Sequence, residues 1–144
     1  MLVNISHDYS SKKKEIDAEV GKTLELKKRK ELGGISCSNV IITAASIDIY
    51  NLLVLNEHKN TCAIEIRPKG IIITFRSQND TFALVIPYYK LRIYKGRAEE
   101  YSFYRDNQFI KIRADKDDPD MHNFIRKIRD HKSDNAPTRV EDLL

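Results

Sequence analysis

Apolar and polar positions alternate through the second half of the chain, and turn residues close each short run. Cys62, Ile64 and Ile66 alternate with small or polar neighbours until Pro68-Lys69-Gly70 reverses the chain, which is the pattern of a hairpin. Further runs of this kind predict six strands between residues 62 and 114. The inward-facing positions after the first turn are predicted to be Ile71, Ile73, Phe75, Phe82, Leu84, Ile86, Tyr89, Leu91 and Ile93.

One amphipathic helix is predicted to follow these strands, from Asp118 to about Lys132. Asp118 suits the N-cap position, and Pro119 suits the first turn because its φ is already fixed. Four apolar residues recur at the spacing of one helix face: Met121, Phe124, Ile125 and Ile128. Strands followed by a single helix predict an α+β fold, a small antiparallel β-barrel closed by a C-terminal helix.

The N-terminal region has a weaker pattern. Residues 1–10 show no period and are interpreted as an irregular arm. Residues 11–32 repeat apolar positions at helical spacing up to Gly33-Gly34, which predicts one amphipathic helix, although residues 23–27 alternate well enough to form a strand. The barrel is therefore expected to carry an N-terminal helical extension.

The segment between this helix and the first hairpin has two interpretations. Val40–Thr43 resembles a strand, and residues 46–55 form either a short helix or, at residues 52–55, a buried strand. Such an apolar segment must pack on the rest of the chain. Together with the helix before Gly33 it offers more apolar surface than one small barrel needs, which predicts a homo-oligomer, most simply a dimer. Three parts are thus predicted: a helical or mixed extension at 1–60, the barrel and its helix at 61–132, and a flexible tail at 133–144.

Composition limits the class of protein. A chain of 144 residues with 41% hydrophobic content can bury one core. Its 25 Lys and Arg residues exceed its 21 Asp and Glu residues by only four, so the surface is of mixed sign and argues weakly for nucleic-acid binding.

The location predicted from the sequence is the cytoplasm. Cys37 and Cys62 lack the spacing of paired ligands and suit a reduced interior. The start of the chain lacks the layout of a signal peptide. The most apolar run, Val40–Leu55, is shorter than the roughly 20 residues that cross a bilayer, so no transmembrane segment is expected, and peripheral membrane contact stays open.

Residues 61–132 resemble the bacterial pleckstrin-homology-like domains. The resemblance rests on the strand order, on the bend at Ile86-Pro87-Tyr88-Tyr89-Lys90-Leu91-Arg92-Ile93, on the hairpin ending Phe109–Arg113 and on the helix through Phe124–Ile128. It implies seven strands, so an upstream strand would have to complete the barrel. It also implies a binding module, since some of these domains bind lipid head groups and many bind proteins.

Tyr88, Lys90, Arg92 and Tyr94 are the candidate anion- or ligand-binding residues. Strict alternation would place all four on the outward side of one strand. Aromatic rings beside cations are used to bind phosphates and bases, but a ladder of this kind also simply covers a half-exposed sheet, which is the simpler interpretation. A protein-interaction or self-associating module is therefore favoured, with nucleic-acid or anionic lipid or phosphate binding as the alternative.

No enzyme, cofactor or metal site is predicted. The four histidines are scattered and are interpreted as surface residues. The acidic run from Asp115 to Asp120 lacks the glycine and the distal glutamate of a calcium loop, and acids are expected at a helix N-terminus. Nucleophile-turn and nucleotide-loop motifs do not occur.

Overall fold

The computed structural model describes residues 1–7, 9–97 and 99–135, which form an α+β fold with one eight-stranded antiparallel sheet and four helices. In chain order the elements are β1 (Leu2–Asn4), α1 (Tyr9–Val20), α2 (Leu26–Glu31), β2 (Ser36–Ala45), α3 (Ile47–Leu53), β3 (Thr61–Arg67), β4 (Gly70–Ser77), β5 (Asp80–Pro87), β6 (Leu91–Lys95), β7 (Glu100–Arg105), β8 (Gln108–Arg113) and α4 (Pro119–Asp134). The strand order is β1-β5-β4-β3-β2-β8-β7-β6. Because β1 and β6 end this order without pairing with each other, the sheet is not closed into a barrel.

Strand β2 is shared between the two halves of the sheet. Its first half pairs with β3 and its second half with β8, and its register shifts twice along its length. Asn39, at the first shift, has the positive φ of 57° that such an irregularity needs. The structure thus confirms the predicted strand at 40–43 and selects the helical alternative for the residues after Ser46, which form α3.

The N-terminal region departs from the prediction in two places. Residues 2–4 form β1 on the edge of β5, with Leu2 opposite Leu84, so the expected irregular arm is wrong. The single helix expected over 11–32 is also wrong, because α1 and α2 are separated at Gly21. Gly21 takes a φ of 84°, a left-handed conformation that ends α1 and that glycine adopts at little cost.

Two apolar clusters cover opposite faces of the sheet. The larger one lies between the sheet and α4 and includes the predicted inward residues Ile64, Ile73 and Leu84. The smaller one lies between α1, β1 and the reverse face of β4 and β5, where Ile16 and Val85 are buried. Strands β4 and β5 are therefore buried on both faces, which explains why their sequences are nearly continuous runs of apolar residues.

A buried arginine joins α1 to the sheet. Arg67 is 4% exposed, and its Nη1 donates to Asp17 Oδ1 at 3.0 Å and to Gly21 O at 2.8 Å. Its Nε lies 3.2 Å from Glu65 Oε1 but outside hydrogen-bond geometry, so Glu65 contributes charge more than a directed bond. The Tyr88 hydroxyl donates to Arg67 O at 3.0 Å. These contacts define the Arg67 corner, where α1, β3 and the turn after β5 meet.

Helix α4 has the predicted cap and the predicted apolar face. The Asp118 side chain accepts a hydrogen bond from Met121 N at 3.1 Å, and Pro119 stands in the first turn. All four residues of the predicted stripe are buried: Met121, Phe124, Ile125 and Ile128. The predicted helix is confirmed, while most of the predicted tail, residues 136–144, lies outside the described residues.

Replacing Phe124 with alanine tests whether α4 is needed for folding. Phe124→Ala is expected to lower the free energy of unfolding by about 3–5 kcal/mol, because it removes a buried ring and leaves a cavity. Thermal or denaturant unfolding measures the loss. The exposed neighbour Asn123 is the matched control, and Asn123→Ala should stay within about 0.5 kcal/mol. A loss below about 1 kcal/mol for Phe124→Ala contradicts a structural role for α4.

Candidate functional site

A turn between β5 and β6 reverses the predicted orientation of the two adjacent tyrosines. Lys90 N donates to Pro87 O at 3.0 Å, and Leu91 N donates to Tyr88 O at 3.2 Å, so residues 88–90 are not extended. Tyr88 is 2% exposed and Tyr89 is 73% exposed. Both predicted orientations are wrong, because strict alternation does not continue through a turn.

Tyr88 belongs to the core and not to the candidate surface. Its ring stacks on His131 of α4 at 6.3 Å between centroids, and its carbonyl oxygen accepts from Lys132 Nζ at 3.2 Å. Burial raises the pKa of the Tyr88 hydroxyl above its usual range. Tyr88 therefore fastens the turn to α4 and cannot present its ring to a ligand on the outer face.

The other three candidate residues come together in one open groove. Lys90, Arg92 and Tyr94 line it with four residues that sequence analysis did not select: Tyr89, Tyr104, Asp106 and Asn107. The groove has a volume of about 780 Å³. We call this surface the tyrosine groove. The hairpin register brings Tyr104 directly opposite Arg92, a pairing that aligning the two predicted strands across their turn would have indicated.

Aromatic contacts hold the floor of the tyrosine groove in place. Tyr94 meets Tyr104 edge to face, with ring centroids 5.4 Å apart. Tyr104 stacks in turn on Phe109 at 5.0 Å. Offset and edge contacts of this kind fix ring orientation and contribute about 0.5–1.5 kcal/mol per pair beyond burial. The groove is thus a preformed surface of stacked rings.

The charge in the tyrosine groove is largely balanced. Lys90 Nζ lies 3.4 Å from Asp106 Oδ2, in the tight β7–β8 turn where Asp106 takes a φ of 52°. Arg92 forms no ion pair with any described residue. The surface therefore offers one free guanidinium among tyrosines, which is less positive than a phosphate-binding surface built from both cations.

The groove follows an edge of the sheet. Among the described strands, β6 pairs with β7 alone. Half of the backbone groups of an edge strand point away from its neighbour and remain available for hydrogen bonds with another extended chain. The tyrosine groove therefore lies beside a backbone edge that could accept a further strand.

The acidic run at the start of α4 is explained by local contacts. Asp118 caps the helix, and Asp115 Oδ1 accepts from Arg113 Nε at 2.8 Å. In residues 1–7, 9–97 and 99–135, no group of three or more histidine, cysteine or acidic side chains is placed to hold a metal ion. Asp115 and Asp118 therefore make local structural contacts at the start of α4.

The two cysteines are free and lie on neighbouring strands of the core. Burial raises the pKa of the Cys62 thiol to about 12, with a small contribution from Cys37. Burial also raises the pKa of Cys37, as do the charges of Asp118 and Asp120, and its Sγ lies 3.6 Å from Met121 Sδ. Because thiolates are the reactive form, these raised pKa values disfavour the reactivity of both side chains at neutral pH.

Within the described residues, no helix combines the length and apolar composition that a bilayer-spanning segment requires. No family model matches the chain, and neither does any curated protein or solved structure. The role of the site is therefore inferred from its geometry.

Removing one hydroxyl from Tyr88 and from Tyr94 in turn tests their opposite environments. Tyr88→Phe is expected to lower the free energy of unfolding by about 1 kcal/mol, because the buried Arg67 carbonyl loses a donor. Tyr94→Phe, at an exposed position, should change it by less than about 0.5 kcal/mol. Denaturant unfolding of both variants decides the matter, and equal effects would contradict the placement of Tyr88 in the core.

Proposed function

We propose that this chain is a non-catalytic binding module that recognises a protein partner at the tyrosine groove and the β6 edge. The observation that carries the proposal is the exposure of two aromatic rings, Tyr89 and Tyr94, in the same groove as the Arg92 guanidinium and beside the β6 edge. Tyrosine and arginine are enriched in the buried centres of protein interfaces.

The edge strand supplies the second half of this recognition. An extended peptide can add to β6 as a further strand, gaining main-chain hydrogen bonds, while its alternate side chains enter the groove. Stacked rings lose little conformational entropy on binding, since they are already held by their neighbours. Affinity would come from the backbone edge and selectivity from Tyr89, Arg92 and Tyr94.

A pleckstrin-homology-like barrel is the architecture that we propose for β2–β8 and α4. Three features support it: seven consecutive antiparallel strands, a bent first strand shared by both halves of the sheet, and a C-terminal helix packed on the same core. In this proposal β1 and α1 are additions on the outer face of β4 and β5. The barrel is open between β5 and β6, which the turn at residues 88–90 connects without pairing them.

Nucleic-acid or anionic lipid binding at this groove remains the second candidate, and its electrostatics are weaker. Duplex nucleic acids are held mainly by cations that release counterions from phosphates. Lys90 already has Asp106 as its partner, so only Arg92 is free to neutralise a phosphate. The nucleic-acid alternative depends on Lys90 and Arg92 acting together, and Lys90 is paired with Asp106.

The binding proposal is tested by photo-crosslinking in the cells that make the protein. A benzophenone side chain placed at Tyr94, or at Asn107 on the far wall of the groove, is expected to give a discrete protein adduct. The matched control is the same probe at Tyr9, which is 47% exposed compared with 53% for Tyr94 but lies on α1. That control should give no such adduct, and Tyr89→Ser with Arg92→Ser should remove the adduct formed from position 107.

The outcomes separate the candidates. Equal labelling from the groove and from Tyr9 would contradict a specific partner at the groove. An adduct that nuclease digestion shortens would replace the protein partner with nucleic acid. Circular dichroism of each variant shows whether the fold is kept, so lost labelling is not confused with unfolding.

Self-association is proposed through the exposed face of α3. Part of the segment that predicted a dimer is buried, since Val40, Ile49 and Leu53 enter the main core. Ile47 and Tyr50 of α3 and Val54 at its C-cap instead stay exposed, at a spacing that places them on one side of the helix. An exposed apolar stripe on one helix face is usually covered by a partner, and a second copy of the chain can supply the same stripe.

Light scattering tests this dimer. The wild type is expected to have twice the monomer mass of 16.7 kDa at high micromolar concentration, and Ile47→Glu with Val54→Glu should restore the monomer because charges oppose burial of the stripe. Leu26→Glu changes an equally exposed leucine on α2 and should leave the dimer intact. A wild-type chain that stays monomeric contradicts the proposal.

A further inference from the structure

A second pocket lies on the other side of the β6–β7 hairpin, where α4 packs. It has a volume of about 460 Å³. Four of its seven lining residues are cations, Lys95, Lys116, Arg126 and Arg129, and the other three are Tyr101, His122 and Ile125. We call it the basic pocket. Lys95 extends from β6, Lys116 from the loop before α4, and both arginines from α4 itself.

The cations of the basic pocket have no carboxylate partner within residues 1–7, 9–97 and 99–135. Lys95, Lys116, Arg126 and Arg129 form no ion pair with a carboxylate among the described residues. The nearby acids are engaged by other groups, since Asp115 pairs with Arg113 at 2.8 Å. Glu100 likewise lies 3.7 Å from Lys111 Nζ, and Glu99 Oε1 accepts from Lys116 N at 3.4 Å. Four like charges thus surround one concavity with no compensating carboxylate in its lining.

Hydrogen bonds build the floor of this pocket. His122 Nε2 lies 2.9 Å from the carbonyl oxygen of Asp115, which can only accept, so Nε2 carries a proton. In neutral His122 the other nitrogen, Nδ1, therefore accepts from the Tyr101 hydroxyl at 2.9 Å. The Arg129 guanidinium lies over the Tyr101 ring, 5.8 Å from its centroid. Arg129 is thus oriented by an aromatic face and keeps its donors for a ligand.

We propose that the basic pocket binds a small anion with more than one phosphate group, such as a diphosphate. Arginine forks and lysine ammonium groups hold phosphate oxygens by charge-assisted hydrogen bonds. A single phosphate monoester carries only about −1.5 to −2 at pH 7, so four free cations exceed what one phosphate neutralises. Two linked phosphates match the charge, and the phosphates could belong to a free molecule or to a lipid head group.

This pocket and the tyrosine groove are separate surfaces. Along β6, Arg92 and Tyr94 point to the groove, whereas Lys95 reaches the side covered by α4. The two proposals therefore fail independently, because variants in one surface leave the lining of the other unchanged.

Calorimetric titration of the full chain with inorganic pyrophosphate tests the site at physiological ionic strength. The wild type is expected to bind one equivalent, more tightly than it binds inorganic phosphate. Arg126→Gln with Arg129→Gln should weaken the affinity at least about tenfold, because the ligand loses the charge-assisted hydrogen bonds from both guanidinium groups. The affinity should fall as salt is raised, because the ligand is held by charge.

A control variant of equal charge accompanies the test. Lys59→Gln with Arg76→Gln removes two exposed cations that line no part of the basic pocket and form no ion pair with described residues. Its affinity should equal that of the wild type. A second double variant, Lys95→Gln with Lys116→Gln, removes two pocket cations that lie outside α4 and should also weaken binding. It tests the pocket independently if the loss of Arg129 disturbs α4.

The result can overturn the proposal in three ways. Absence of pyrophosphate binding by the wild type would end it, and so would equal weakening in the control variant. Binding of a DNA oligonucleotide that is much tighter than that of pyrophosphate and is lost with Arg126 and Arg129 would assign the pocket to nucleic acid instead. Sedimentation with vesicles that contain diacylglycerol pyrophosphate, compared with phosphatidylcholine vesicles, then distinguishes a lipid-borne diphosphate from a free one, and either source upholds the phosphate site.

Discussion

The buried guanidinium of Arg67 joins parts of the chain that are far apart in sequence. A charge in the interior is costly unless carboxylates and hydrogen bonds compensate it. Asp17, Glu65 and the carbonyl of Gly21 supply that compensation. Since Asp17 lies near the end of α1 and Gly21 follows its last residue, their contacts with Arg67 fix where this helix lies on the sheet. The left-handed Gly21 is what turns its carbonyl towards Arg67.

The same corner sets how closely the layers approach. Gly70 begins β4 beneath α1, and a side chain there would overlap the carbonyl oxygen of Ile86 and a methyl group of Val20. Lys69 N donates to Val20 O at 2.8 Å, and Tyr88 N donates to Lys69 O at 2.9 Å. The β3–β4 turn is therefore held between the end of α1 and the bend that leads into β6. The position of the tyrosine groove depends on this bend.

The sequence predicts those elements whose signals are local. Period-two alternation located the six strands from β3 to β8, and Asp118 with Pro119 located the start of α4 within a residue. Strand β1 could not be found, because three residues carry no period and their partner in β5 is distant along the chain. The break at Gly21 was missed because helical spacing continues on both sides of it, and only the tertiary contact with Arg67 shows why the helix ends there.

The candidate site was predicted only in part, because local signals do not specify turns or contacts between distant elements. Arg92 and Tyr94 lie within β6, where alternation holds, while Tyr88 lies in a turn whose length alternation does not specify. The charges that decide its chemistry come from other elements, since Asp106 neutralises Lys90 across a hairpin. The four cations of the basic pocket come from β6, a loop and α4, so no sequence window contains the cluster. A chain with a net charge of only +4 can thus hold one largely balanced surface and one strongly positive pocket on opposite faces of a single hairpin. Only the fold shows which of its cations lie beyond the reach of the described carboxylates.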